Sequence, residues 1–286
     1  MTTKTVKESD QCKVKFLYEG ETVKSVIKEF KDAKTLEKEI EISELLNNSL
    51  KGKKEKNLLI YPHLNSLSLE ISRPIPEPKA LVLMKQCCTI LKELQEKNTV
   101  HRDLKPGNLY LDKNGNLLVS DFETAISKDW PPSDTTCGTP GFMAPEQYID
   151  PNTDWLADQY SMGAIFYNIL TGTVPFSGSN IEEIRNKQLN TQSDPSLHNA
   201  KLKKPFSDLV IKMMNNNKDL RFQSIKEIDQ AMASCANSLK KTEVLEDKGV
   251  KILPKKKEKL IKQNLILNLL ILAVALILAT VLLKAL

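Results

Sequence analysis

Residues 13–30, KVKFLYEGETVKSVIKEF, hold two runs rich in Val, Phe, Ile and Tyr on either side of Glu19-Gly20-Glu21. That pattern predicts a β-hairpin. Between 34 and 48 the period changes. Leu36, Ile40, Leu45 and Leu46 fall at helical spacing, and Asn47-Asn48 close the run. A lysine-rich turn, KGKKEK, leads into a second apolar run at Leu58–Tyr61, and the proline-rich SRPIPEP, 72–78, reads as a loop or linker. Over 80–97, Leu81, Met84, Cys88, Leu91 and Leu94 mark one face of an amphipathic helix, and helical patterns recur at 157–171, 180–189, 205–215 and 224–239. A small strand-rich part followed by a larger helical part predicts two lobes, without an internal repeat.

The periodicity stops at the C-terminal end. Leu265–Leu283 is 19 residues without a charge, interrupted only by Asn268 and Thr280. As a helix it would be about 28 Å long, close to the ~30 Å hydrocarbon core of a bilayer. A buried core helix would be shorter and would carry a polar stripe. Lys255, Lys256, Lys257, Lys259 and Lys262 lie just upstream. Lysines on that flank predict that the preceding domain is cytoplasmic, with the lysines against anionic headgroups. The N-terminal MTTKTVKESD has no apolar run, so no signal peptide is expected. The expectation is a tail-anchored, single-pass membrane protein with a cytoplasmic working part. Its basic juxtamembrane linker is 240–262 and its transmembrane helix 265–283.

Charge sharpens this division. Lys240–Lys262 carries nine lysines against four acids and Lys284 adds one more, so the net +5 of the chain leaves residues 1–239 at about −1. A near-neutral main domain argues against nucleic acid as a partner. Five cysteines, odd in number and without a C-x-x-C pair, argue against a disulfide framework or zinc site and fit a reducing compartment. The three histidines are too scattered for a metal cluster.

The densest chemistry is HRDLKPGN, 101–108, followed by LYLDKNGNLLVSDFE, two short apolar runs around a Lys-Asn-Gly turn. CGTPGFMAPE, 137–146, and DQYSMGAIFYNILTGTVPF, 158–176, come next. Together these strings resemble the protein kinase catalytic domain over residues 13 to about 239, in order and in spacing. The resemblance implies an α+β, two-lobed protein-kinase-like fold, with an N-lobe over about 13–64 and a C-lobe over about 78–239. Residues 1–12 would precede the domain. Lys105 and Thr139 resemble the serine/threonine branch, and the wording of MAPEQ and DQYSMG is similar to eukaryotic-type kinases of bacteria.

The same resemblance implies the site. Phosphoryl transfer needs the nucleophile, the triphosphate and the metal held in line while developing charge is neutralised. Asp103 would accept or orient the proton of the substrate hydroxyl, and Lys105 would place a charge against the transferred group. Asn108 and Asp121 offer the hard oxygens that Mg²⁺, or Mn²⁺, prefers. SVIK makes Lys28 the candidate for the α- and β-phosphates of ATP. Glu39 best fits its helix partner, with Glu37 and Glu41 as neighbours that could be mistaken for it. Arg102 would pair with a phosphate on the activation segment, where Ser133, Thr135 and Thr136 are the candidate acceptors. Glu146 and Arg221 resemble the ion pair that fixes the end of that segment, and Asp158 resembles the residue bracing the catalytic loop. His101 is read as packing, not as a general base.

Three departures from the pattern stand out. Matching Cys12-Lys13-Val14 to the end of the glycine-rich loop puts Lys7, Ser9 and Cys12 where glycines would let backbone N–H groups approach phosphates. Asp-Phe-Gly has become Asp-Phe-Glu, and Glu123 could assist metal binding or repel ATP. The small lobe is short between Leu46 and Leu58, and its hinge falls at about Tyr61–Leu64. Two readings follow: a membrane-anchored serine/threonine kinase acting on protein, which could dimerise in the plane of the membrane, and a catalytically silent scaffold that recruits partners there. A tail-anchored adaptor with a vestigial domain is a third.

Overall fold

The computed structural model describes residues 1–9, 11–71, 73–132 and 137–247. The segment 265–283, most of the linker 240–262, and Ser133, Thr135 and Thr136 lie outside the described residues. The chain divides into two units, Met1–Leu239 and Lys240–Leu286. Among the described residues no helix is long and apolar enough to cross a membrane.

An antiparallel sheet opens the first unit, made of β1 (Thr2–Glu8), β2 (Cys12–Glu19), β3 (Thr22–Phe30), β4 (Lys53–Glu55) and β5 (Leu58–Pro62) in the order β1-β2-β3-β5-β4. The β2–β3 hairpin turns at Gly20, as its apolar runs predict. Strand β1 corrects the expectation that residues 1–12 precede the domain, since it pairs with β2 from Thr2 opposite Tyr18 to Glu8 opposite Lys13. It shows no apolar alternation because all seven residues are exposed on the sheet edge. The short stretch between Leu46 and Leu58 houses a strand after all, cut to three residues in β4.

Helix α1 (Ala33–Leu45) follows β3. It starts at Asp32, an extended residue whose carboxylate accepts the Thr35 amide at 2.7 Å and so satisfies one of the first-turn donors. Phe30, Leu36, Leu50, Leu59 and Tyr61 form a small core between this helix and the sheet.

The larger lobe contains α2 (Leu67–Glu70), α3 (Glu77–Glu96), α4 (Trp155–Thr171), α5 (Ile181–Asn190), α6 (Lys204–Met213) and α7 (Ile225–Asp247). A second small sheet joins β6 (Asn65–Ser66), β7 (Leu109–Leu111) and β8 (Leu117–Val119). Helix α4 is buried on every side from Leu156 to Thr171, which explains why it is apolar all round rather than striped. Asp154 caps its start by accepting the Leu156 amide, and Gly172 ends it in the left-handed region at φ 74°. A Cβ at Gly172 would lie 2.8 Å from the backbone of Arg73 and Pro74, so the position requires glycine on two counts. Fully buried Leu, Ile and Phe side chains each contribute roughly 1.5–3 kcal/mol. They are concentrated around α3, α4 and α6, so this lobe is the packed base on which the loop 101–108 rests.

Candidate active site

HRDLKPGN lies between α3 and β7, on the buried face of the larger lobe. Asp158, at the start of α4 and fully buried, accepts the amides of His101 at 2.7 Å and Arg102 at 2.9 Å. Those bonds hold Arg102 at φ 66°, a conformation that side-chain-bearing residues seldom adopt. Burial pushes the Asp158 carboxyl up from its ordinary range, and the imidazole of His101 and the two amides pull against that. His101 accepts the Asp103 amide at Nδ1, donates from Nε2 to the Ser120 carbonyl, and packs 5.1 Å from the Phe122 ring. Both ring nitrogens are engaged in structure, as the packing role requires.

The geometry beyond His101 is a closed polar triangle. Lys105 Nζ lies 2.6 Å from Asp103 Oδ2 and donates to Thr139 Oγ1 at 2.7 Å, while Thr139 donates to Asp103 Oδ1 at 2.6 Å. Asn108 Nδ2 donates to the Asp103 carbonyl at 2.9 Å, and its amide oxygen takes no hydrogen bond among the described residues.

Across from this triangle sits Lys28, buried at the inner end of β3. Its ammonium lies 2.8 Å from Asp121, 2.9 Å from Glu123 and 3.4 Å from Glu39. Glu39, rather than Glu37 or Glu41, points inward; the other two are exposed, and Glu41 accepts the Trp130 indole N–H. Glu39 also accepts the Phe122 amide at 2.7 Å and the Tyr61 hydroxyl at 3.2 Å, so one carboxylate ties α1 to β5 and to the Asp121-Phe122-Glu123 segment. Burial works against the Lys28 charge, but the three carboxylates outweigh it and hold the ammonium well above the usual lysine range. Asp121 is opposed by burial too, yet its bond to Lys28 holds its carboxyl at about 2. For Glu39, burial wins and the carboxyl is raised.

Glu123 is held by contacts within the protein. Its carboxylate turns to Lys28 and to the Cys12 thiol, which donates at 2.8 Å, and its carbonyl accepts from Lys38 Nζ at 2.8 Å. Burial, followed by the Glu123 contact, pushes the Cys12 thiol up to about 12, so it acts as a donor and not as a thiolate. Burial, followed by the charge of Arg102, pushes Lys38 down to about 8.

Arg102 is buried, with its guanidinium donating to the carbonyls of Thr124 at 2.7 Å and Pro151 at 2.9 Å. Arg221 and Glu146 form a two-pronged ion pair at 2.6 and 2.8 Å, with Arg221 fully buried over the Tyr160 ring and bonded to the carbonyls of Asn215 and Leu156.

Lys28, Lys105, Asn108 and Asp121 all line one cavity of about 680 Å³, walled by Val14, Val26 and the Tyr61–Leu64 stretch. Its charge balance bears on a metal. Three carboxylates face one lysine, so the cluster carries excess negative charge. Asp121 keeps one oxygen without a hydrogen bond among the described residues, as Asn108 does. Among the described residues no three His, Cys, Asp or Glu side chains form a metal site of their own. Two oxygen donors beside a polyphosphate-sized cavity fit Mg²⁺, which keeps waters and takes few protein ligands.

Comparison with known proteins identifies the family. Residues 2–234 match the profile of the protein kinase domain. The chain belongs to that family, whose members use ATP and a divalent metal. It is similar to a rhodopsin kinase of Rattus norvegicus (31% identical over 150 residues, 51% of this chain and 26% of the relative). It is similar also to the serine/threonine-protein kinase sgk-1 of Caenorhabditis elegans (31% over 175 residues, 59% and 37%) and to a probable serine/threonine-protein kinase of Clostridium perfringens (27% over 179 residues, 61% and 24%). The chain thus spans about a quarter to two-fifths of the length of these relatives.

Removing one member of the Arg221–Glu146 pair leaves the other without its partner in a largely buried place. Arg221→Met is expected to lower unfolding free energy by about 3 kcal/mol. In urea denaturation the double variant with Glu146→Gln should lose less than the sum of the two single changes.

Proposed function

We propose that the protein is a serine/threonine protein kinase that moves the γ-phosphoryl group of ATP to a protein hydroxyl and is held at a membrane by its apolar segment. The observation that carries this reading is the convergence of Lys28, Lys105, Asn108 and Asp121 on one cavity, with Asp103 bonded to Lys105 at its edge. In the transfer, the substrate hydroxyl oxygen bonds to the γ-phosphorus as the bond to the leaving β-phosphate oxygen breaks. Asp103 takes the hydroxyl proton, and ADP leaves. Lys105 offsets charge on the transferred group, and Thr139 holds Lys105 and Asp103 in register. Lys28 would grip the α- and β-phosphates once they enter, with Glu39 keeping its ammonium in place. Asn108 and Asp121 would hold Mg²⁺ or Mn²⁺, whose charge offsets that of the phosphates when bound.

Regulation is proposed at Arg102, with Ser133, Thr135 or Thr136 as the phosphate-bearing partner. Glu146, Arg221 and Asp158 would keep the segment and the loop rigid. The apolar 265–283 segment and the lysines ahead of it support a single-pass anchor with the kinase domain in the cytoplasm. That segment is also the surface through which a homodimer would form in the membrane.

Two experiments test this. Full-length protein incubated with labelled ATP, Mg²⁺ or Mn²⁺, and a generic basic substrate protein should place label on serine or threonine. Asp103→Asn should reduce the rate by about 10²–10⁴-fold, and Lys28→Met should also abolish detectable transfer. Absence of label from folded protein in either metal would favour the silent scaffold, a reading suggested by the three carboxylates already occupying Lys28. In flotation with anionic liposomes, the full chain should rise with the vesicles, and a variant lacking 265–283 should remain at the bottom.

A further inference from the structure

In the turn between β1 and β2 the described backbone donors, the amides of Ser9, Gln11 and Cys12, are already engaged. The amides of Cys12 and Gln11 donate to Ser9 Oγ at 3.1 and 3.3 Å, and the Ser9 amide donates to the Cys12 carbonyl at 2.9 Å. Lys31 Nζ closes the turn from outside on the Ser9 carbonyl at 2.7 Å. By the sequence match these amides fall where a glycine-rich turn would present N–H groups to phosphate, but here Gln11 and Cys12 give theirs to Ser9 Oγ and Ser9 gives its own to the Cys12 carbonyl. Those three amides are therefore not open to a phosphate in the cavity.

Strand β1 supplies a candidate through its register. The β1–β2 ladder runs regularly from Thr2 to Thr5 and then shifts, so that Thr5 pairs with Lys15 and Lys7 with Val14. Neighbours on a regular strand face opposite sides of a sheet. The irregularity at Val6 breaks that alternation, and both Val6 and Lys7 line the cavity. Lys7 makes no ion pair with an acid among the described residues, unlike Lys13, Lys15 and Lys24 on the neighbouring strands.

We propose that Lys7 is a phosphate-binding residue, a side-chain cation that takes over the grip a glycine-rich turn exerts through its backbone. Together with Lys28 and Lys105 it makes a three-lysine cradle for a nucleoside triphosphate. The inference rests on the reading of the cavity as an ATP site. It also gives the Val6 irregularity a purpose, which is to aim Lys7 inward from an otherwise exposed edge strand.

The test is equilibrium binding to full-length protein of two probes, Mg²⁺·ATP and adenosine. It compares the wild type with Lys7→Gln, Lys7→Arg and Lys28→Met. Lys7→Gln should weaken ATP on the order of ten-fold while leaving adenosine unchanged. Lys7→Arg should restore most of the ATP affinity, and added salt should narrow the gap between wild type and Lys7→Gln. Unchanged adenosine binding reports an intact cavity, so a folding defect cannot imitate the result. Equal ATP affinity in wild type and Lys7→Gln, with Lys28→Met impaired, would overturn the role of Lys7 and leave the ATP site standing. Adenosine and ATP weakened alike would also overturn it. Failure of the wild type to bind ATP would bring down the site and the inference together.

Discussion

One buried ammonium organises the molecule. Lys28 draws in a carboxylate from α1, and two more from the Asp121-Phe122-Glu123 segment, so a single cation joins the strand lobe, its helix and the end of the catalytic machinery. Three acids crowded together would repel strongly at low dielectric without that cation. With it, Glu39 is free to accept the Phe122 amide and the Tyr61 hydroxyl, and Asp121 can hold its left-handed backbone at φ 71°. The same excess of negative charge makes the cavity a receptive place for a divalent cation, and the lysines at its rim suit an anionic ligand.

The two halves of the site are held by different means. The catalytic loop is mounted on the packed base, with buried Asp158 accepting two of its amides and Thr139 bridging Asp103 and Lys105. The upper half depends on side chains that reach across from the sheet. Cys12 donates to Glu123, and Lys38 donates to the carbonyl of the same residue, so β2, α1 and the Asp121-Phe122-Glu123 segment are joined through one residue. In this chain, links through Glu123 tie down a segment for which glycine would leave the backbone free.

Much of this is legible in the sequence. The β2–β3 hairpin, α1, α3 and the helices after Trp155 follow from apolar period, and the catalytic loop follows from residue types in a fixed order. Some things were not legible, each for a physical reason. Strand β1 carries almost no apolar signal, because an edge strand exposed on both faces buries nothing that would force alternation. The register shift at Val6 is a property of pairing between strands, and only the ladder shows that Lys7 shares the cavity with Lys28. The direction taken by Glu123 depends on where β3 places Lys28 and where β2 places Cys12, both far away in sequence. Glu39 was the best fit in the sequence, and the rotation of α1 against the sheet separates it from the exposed Glu37 and Glu41.

The central claim is that the Lys28 cluster is a nucleotide site waiting for phosphate and metal rather than a purely structural knot. Thermal unfolding of full-length protein with and without Mg²⁺·ATP, for wild type and Lys28→Met, tests it most directly. A ligand of the native state at 100 times its dissociation constant adds about 2.7 kcal/mol. The account predicts a clear upward shift for the wild type at millimolar Mg²⁺·ATP and little or none for Lys28→Met, whose own baseline falls because three acids lose their cation. No shift in the wild type, or an equal shift in both proteins, would contradict it.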